Sequence, residues 1–177
     1  MNNLEKIQKI VKVFKALALT AAILAFVSSL FMLVSVGVWY GADNSGVAYI
    51  AELTKRVDFN ETLAVIWCDF VLCLTDGILF SFAYLYLSHE LTDGTPFTER
   101  GAKEMRFLGI KIILIPIIAV TICGVICGCL GTDAPENISN GTSVVFGVAL
   151  IIISIVFAYG AELERKDATN ETGESSE

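Results

Sequence analysis

Four apolar stretches, Ala16–Tyr40, Leu63–Leu87, Phe107–Leu130 and Thr142–Ala161, constrain this sequence more than any other feature. Each is close to the roughly 20 residues with which an α-helix crosses a hydrocarbon layer about 30 Å thick. Lipid offers no partner to a free backbone N–H or C=O, so stretches of this length must close their hydrogen bonds internally as helices. Hydrophobic residues make up 55% of the chain and mean hydropathy is +0.69. They are clustered in blocks rather than spread amphipathically as in a soluble domain. The expected fold class is all-α: an integral membrane bundle of four transmembrane helices, with an N-terminal amphipathic helix and short loops. Residues 1–161 are expected to form this single membrane domain and residues 162–177 an acidic, disordered cytoplasmic tail. The connections are too short for a separate catalytic or nucleic-acid-binding domain.

Basic residues of short flanks stay on the cytoplasmic side during insertion. Here they flank the first run (Lys6, Lys9, Lys12, Lys15), join the second to the third (Arg100, Lys103, Arg106) and follow the fourth (Arg165, Lys166), whereas the other two connections hold only Lys55 and Arg56. Both termini are therefore expected in the cytoplasm. The first run is too long for a signal core and lacks a convincing cleavage pattern, so it is expected to remain as a span. The net charge of −7 argues against a nucleic-acid partner. Before the first run, Leu4, Ile7, Ile10, Val11, Phe14 and Leu17 recur at helical spacing opposite the lysines. That pattern predicts a basic amphipathic helix in the headgroup layer, where the lipid bilayer itself is the partner.

The connection between the second and third runs is the best punctuated. Gly94 and Pro96 end one helix, Thr98 is placed to cap the next, and Glu99 sits in its first turn where the helix dipole favours an acid. Arg100, Lys103 and Arg106 then lie three apart and lead a basic face into the third run.

Leu91-x-x-Gly94-x-Pro96-Phe97-Thr98, followed by Arg106-x-Leu108-Gly109 and the closing Phe157-x-Tyr159-Gly160-x-x-Leu163-Glu164-x-x-Asp167, resembles a bacterial family of four-span membrane proteins classed as a domain of unknown function. Genes of that family often neighbour a Cro/C1-type helix-turn-helix regulator. The resemblance covers nearly the full length. It implies the bacterial cytoplasmic (inner) membrane and a tie to transcriptional control, with no activity attached. This chain departs from the family in having Ala168-Thr169-Asn170 after Asp167 and an acidic pair in the second run.

That pair is Asp69 and Asp76, which at seven residues apart fall within about 20° of one helix face. An acid at mid-bilayer costs on the order of 2.5 to 3.5 kcal/mol, so such a residue is expected to face the bundle. One reading is a proton or ion path; the other is a pair of helix-locking acids hydrogen-bonded to hydroxyls such as Ser28, Ser35, Thr121 or Ser154. Lys111 is expected to snorkel toward the headgroups, with pairing to Asp76 as the alternative. Gly124-xxx-Gly128 presents a flat strip for helix packing within the bundle, or for a homodimer seam. Pro116 can kink the third span. Cys123, Cys127 and Cys129 crowd one end of that span, with Cys68 at comparable depth.

No CxxC or Cys/His spacing supports a metal, His89 has no second ligand at metal spacing, and no nucleophile elbow, phosphate loop or dinucleotide fingerprint is present. No cofactor, metal or catalytic residue is therefore expected. The function expected is a non-enzymatic membrane protein of the interaction or regulatory class. Its contact surface is the cytoplasmic connection, with Gly94, Pro96, Phe97, Thr98 and Arg106 as the motif that meets a cytoplasmic protein partner. The alternative is a small channel or proton-coupled transporter using Asp69 and Asp76.

Overall fold

The computed structural model describes residues 3–41, 59–93, 98–133 and 141–174. They form four helices, α1 (Asn3–Gly41), α2 (Phe59–Asp93), α3 (Glu99–Leu130) and α4 (Gly141–Glu174), with no strand among the described residues. Each contains a segment long and apolar enough to cross a membrane: Gln8–Val38, Asn60–Thr92, Arg100–Leu130 and Val145–Glu162. The fold is thus an all-α four-helix bundle, and its helices fit a multi-pass membrane protein. Side chains such as Leu30, Phe31, Val34, Val145 and Phe146 stand exposed along these segments. A contiguous apolar exterior of this kind suits lipid and would be a liability in water.

Two helices differ from the sequence expectation at their ends. The N-terminal amphipathic segment is not a separate helix: α1 runs unbroken for 39 residues from Asn3. Nothing between Ile7 and Leu17 breaks a helix, and Ala16, Leu17 and Ala18 are strong helix formers that carry it into the apolar run. Likewise the segment after Ala161, expected to be disordered, continues α4 as far as Glu174. Ala161-Glu-Leu-Glu-Arg-Lys is a run of high helix propensity, and a helix already nucleated in the span extends through it at the small cost of propagation.

The bundle divides into two compact units, which share α1, α2 and α3. One comprises residues 1–19, 81–113 and 142–177. It contains ten of the twelve lysines and arginines of the chain, all except Lys55 and Arg56, beside eleven of its 19 acidic residues; for the lysines and arginines it gathers it is called the basic unit below. Within it α1 meets α2 where the Lys15 ammonium donates to Ser88 Oγ at 2.9 Å and lies 5.2 Å from the Tyr84 ring centre. The approach of α3 to α4 is made by Gly109 and Gly147. A Cβ built on Gly109 would lie 2.9 Å from the Gly147 carbonyl oxygen, and one built on Gly147 would lie 2.8 Å from the Gly109 carbonyl oxygen. Backbone meets backbone here because neither residue has a side chain.

The second unit comprises residues 20–80 and 114–141. Val36, Leu63 and Ile66 form one buried cluster, against which Met32, Trp67 and Leu130 pack. Ala64, Cys68, Cys123 and Cys127 form the other. Small side chains let α2 and α3 close on each other, and Cys123 is fully buried. α3 continues through the buried Pro116 as one helix. It ends on Gly131, whose φ of +69° closes the terminus: the Gly131 N–H reaches the Gly128 carbonyl at 3.3 Å and the Thr132 N–H reaches the Cys127 carbonyl at 3.0 Å. This is the paired hydrogen-bond arrangement that a left-handed residue makes possible at a helix C-terminus.

Candidate functional site

A polar constellation lies in the basic unit, where the end of α2 meets the start of α3. Thr98 starts α3 as the sequence predicted: its Oγ1 accepts the Gly101 N–H at 2.9 Å, and its carbonyl accepts the Ala102 N–H at 3.0 Å. The hydroxyl satisfies one of the donors a helix start leaves open. With that start fixed, Glu104 faces α2, and its two oxygens serve different donors. Oε1 accepts the Arg100 Nε–H at 2.9 Å across one helical turn, and Oε2 accepts the His89 Nδ1–H at 2.8 Å. An ionised carboxylate only accepts, so the His89 hydrogen bond requires the tautomer protonated at Nδ1. His89, exposed as expected of a solvated boundary residue, thus also helps join α2 to α3. Sequence spacing gave no signal for this, because the bond links residues 15 apart across a connection.

One and two turns further along α3 are Leu108 and Lys111. These residues, with Phe82, Leu85 and Tyr86 of α2 and Phe107 of α3, line a cavity of about 300 Å³ into which His89 and Glu104 also project. The Lys111 ammonium sits 3.5 Å from the centre of the Phe82 ring. This replaces the pairing with Asp76 held open from the sequence: the ring face carries the negative lobe of the aromatic quadrupole and attracts the cation. Such a contact holds an ammonium in place without neutralising it.

The remaining predicted residues are distributed as follows. Gly94, Pro96 and Phe97 lie outside the described residues, and Arg106 is exposed on α3. Asp69 is half-buried, whereas Asp76 is exposed, contrary to the expectation that both face the bundle. Three of the four hydroxyls proposed as their partners donate elsewhere. Ser35 donates to Phe31 O, Thr121 to Ile117 O and Ser154 to Ile151 O, each on its own helix. A serine or threonine within a helix has a carbonyl three or four residues back at ideal distance, and that local acceptor wins.

Gly124 and Gly128 are exposed, and a Cβ on either would meet nothing within 4 Å. Among the described residues the strip therefore packs against no other helix, where packing inside the bundle or a homodimer seam was expected. That role falls to Gly109 and Gly147, which the sequence shows only as isolated glycines in apolar runs. An isolated glycine there is the signal of a close approach, but it does not name the partner.

Three of the cysteines do come together. Cys68 Sγ lies 3.8 Å from Cys127 Sγ, and Cys68 and Cys123 each bring a thiol to 3.9 Å from the other's carbonyl oxygen. All five are free thiols, with Cys129 exposed. No group of three or more metal-ligating side chains that could hold an ion assembles among the described residues.

Comparison with known proteins returns no match: no protein-family model, no curated protein and no solved structure matches this chain. The family resemblance is carried by its motifs alone.

Proposed function

We propose that this is a non-enzymatic bacterial inner-membrane protein of the interaction or regulatory class, with both termini in the cytosol and its basic unit presented to a cytosolic protein partner. The observation that carries this reading is the Arg100–Glu104–His89 bracket together with the Thr98 cap. These bonds tie the end of α2 to the start of α3, so the exposed side chains at that start are held in one arrangement, as recognition requires. The exposed Arg100, Lys103 and Arg106 project from this start of α3. The motif resemblance and the concentration of basic residues in this one unit support the same reading. The transport alternative has weaker support, since Asp69 and Asp76 differ in exposure and neither lines the cavity described above.

The test is photo-cross-linking in living cells with a photoreactive residue at Lys103, compared with one at the exposed Phe146 of α4. A discrete cross-linked protein is expected from position 103 alone and is expected to disappear in Glu104→Ala. The same product from both positions, or one indifferent to the Glu104 change, refutes the proposal.

A further inference from the structure

We infer that the cavity beside Lys111 binds the phosphodiester headgroup of an anionic membrane phospholipid, with the phosphate at the Lys111 ammonium and the acyl chains along Leu85 and Phe107. The argument begins with charge. Lys111 stands half-buried against Phe82, and no carboxylate among the described residues pairs with it. Glu104 lines the same cavity, but each of its oxygens already accepts a hydrogen bond, and Arg100 offsets its charge. The Lys111 ammonium, held on the Phe82 ring face, thus offers its positive charge to a phosphodiester.

Shape and surroundings point the same way. A volume of about 300 Å³ admits a glycerophosphate-sized group. The cavity wall is continuous with lipid-facing side chains, since Phe107 is 63% and Leu85 49% exposed. Chains extending from a headgroup held at Lys111 would lie along these apolar surfaces, which a water-soluble anion cannot use. Lys9, Lys12 and Lys15 of α1 and Arg100, Lys103 and Arg106 of α3 belong to the same unit as the cavity and add local attraction for anionic lipid. A zwitterionic lipid offers the same phosphate but brings a cation toward Arg100, which already pairs with Glu104.

The experiment is native mass spectrometry of the full chain from micelles carrying equal amounts of phosphatidylglycerol and phosphatidylcholine. Retention of phosphatidylglycerol is expected to exceed that of phosphatidylcholine by about fivefold, the ratio that about 1 kcal/mol per basic side chain provides. Lys111→Met is expected to bring the ratio near one and Lys111→Arg to preserve it. Should Lys111→Met lose its helical circular dichroism, Phe107→Glu serves instead, since a carboxylate at this exposed position repels the anionic lipid. Equal retention of the two lipids by the wild type overturns the inference, as does a ratio unchanged in Lys111→Met or in Phe107→Glu. A soluble glycerophosphodiester that displaces phosphatidylglycerol at equimolar concentration overturns the assignment to a lipid.

Discussion

Replacing Gly147 by alanine sets two effects of known sign against each other. Alanine improves helix propensity by about 0.5–1 kcal/mol over glycine. Against that, its Cβ would lie 2.8 Å from the Gly109 carbonyl oxygen and against the Ile113 side chain. Ile113 can rotate away, but the carbonyl belongs to the α3 backbone and moves only with the helix. A carbon and a carbonyl oxygen rest at about 3.3 Å or more, so α3 and α4 must separate by roughly half an ångström. Overpacking of this kind costs about 1–3 kcal/mol. The net expectation is a loss of about 1–2 kcal/mol, and Gly109→Ala should behave alike, since its Cβ would meet the Gly147 carbonyl at 2.9 Å. Gly124→Ala has open space around it and should gain about 0.5–1 kcal/mol from propensity alone. Equilibrium unfolding in mixed dodecylmaltoside and SDS micelles, followed by far-ultraviolet circular dichroism, measures all three. The double change at 109 and 147 should cost less than the sum of the single changes, because one separation of the helices relieves both contacts. If Gly147→Ala matches or exceeds the wild type in stability, or if Gly124→Ala loses as much as Gly147→Ala, the packing argument fails.

Thr98→Ala should destabilise the protein by about 0.5–2 kcal/mol in the same assay, with Thr98→Ser close to wild type; equal behaviour of the two would mean the Oγ1 bond to Gly101 caps nothing. Brief treatment of the folded protein with N-ethylmaleimide, read by peptide mass spectrometry, should label Cys129 well before Cys68, Cys123 or Cys127. The first is exposed and the other three are buried, so uniform labelling would contradict the observed contact of α2 with α3.

The spans were legible because hydropathy blocks of this length leave one solution in lipid, and the Thr98 cap was legible because capping is chemistry between near neighbours in sequence. What sequence could not supply was the identity of partners across helices. Gly124 and Gly128 display the spacing of a packing strip, yet such a pattern describes one surface only and face open space here; Gly109 and Gly147 lack the pattern and make the contact. His89 and Lys111 show the same limit: the first binds Glu104 and the second lies on Phe82, and neither partner is fixed by a local rule. The helix ends were misread for a different reason. Polar residues after Ala161 carry no apolar periodicity, but a helix that is already formed needs none in order to continue.

That continuation gives α4 a mechanical character. Its 34 residues measure roughly 51 Å along the axis, against about 30 Å of hydrocarbon. The acidic segment is consequently joined to the span as a stiff rod, without an intervening joint. A twist or vertical shift of the span is therefore carried along the backbone past Ala161, so repacking within the lipid would be felt beyond it.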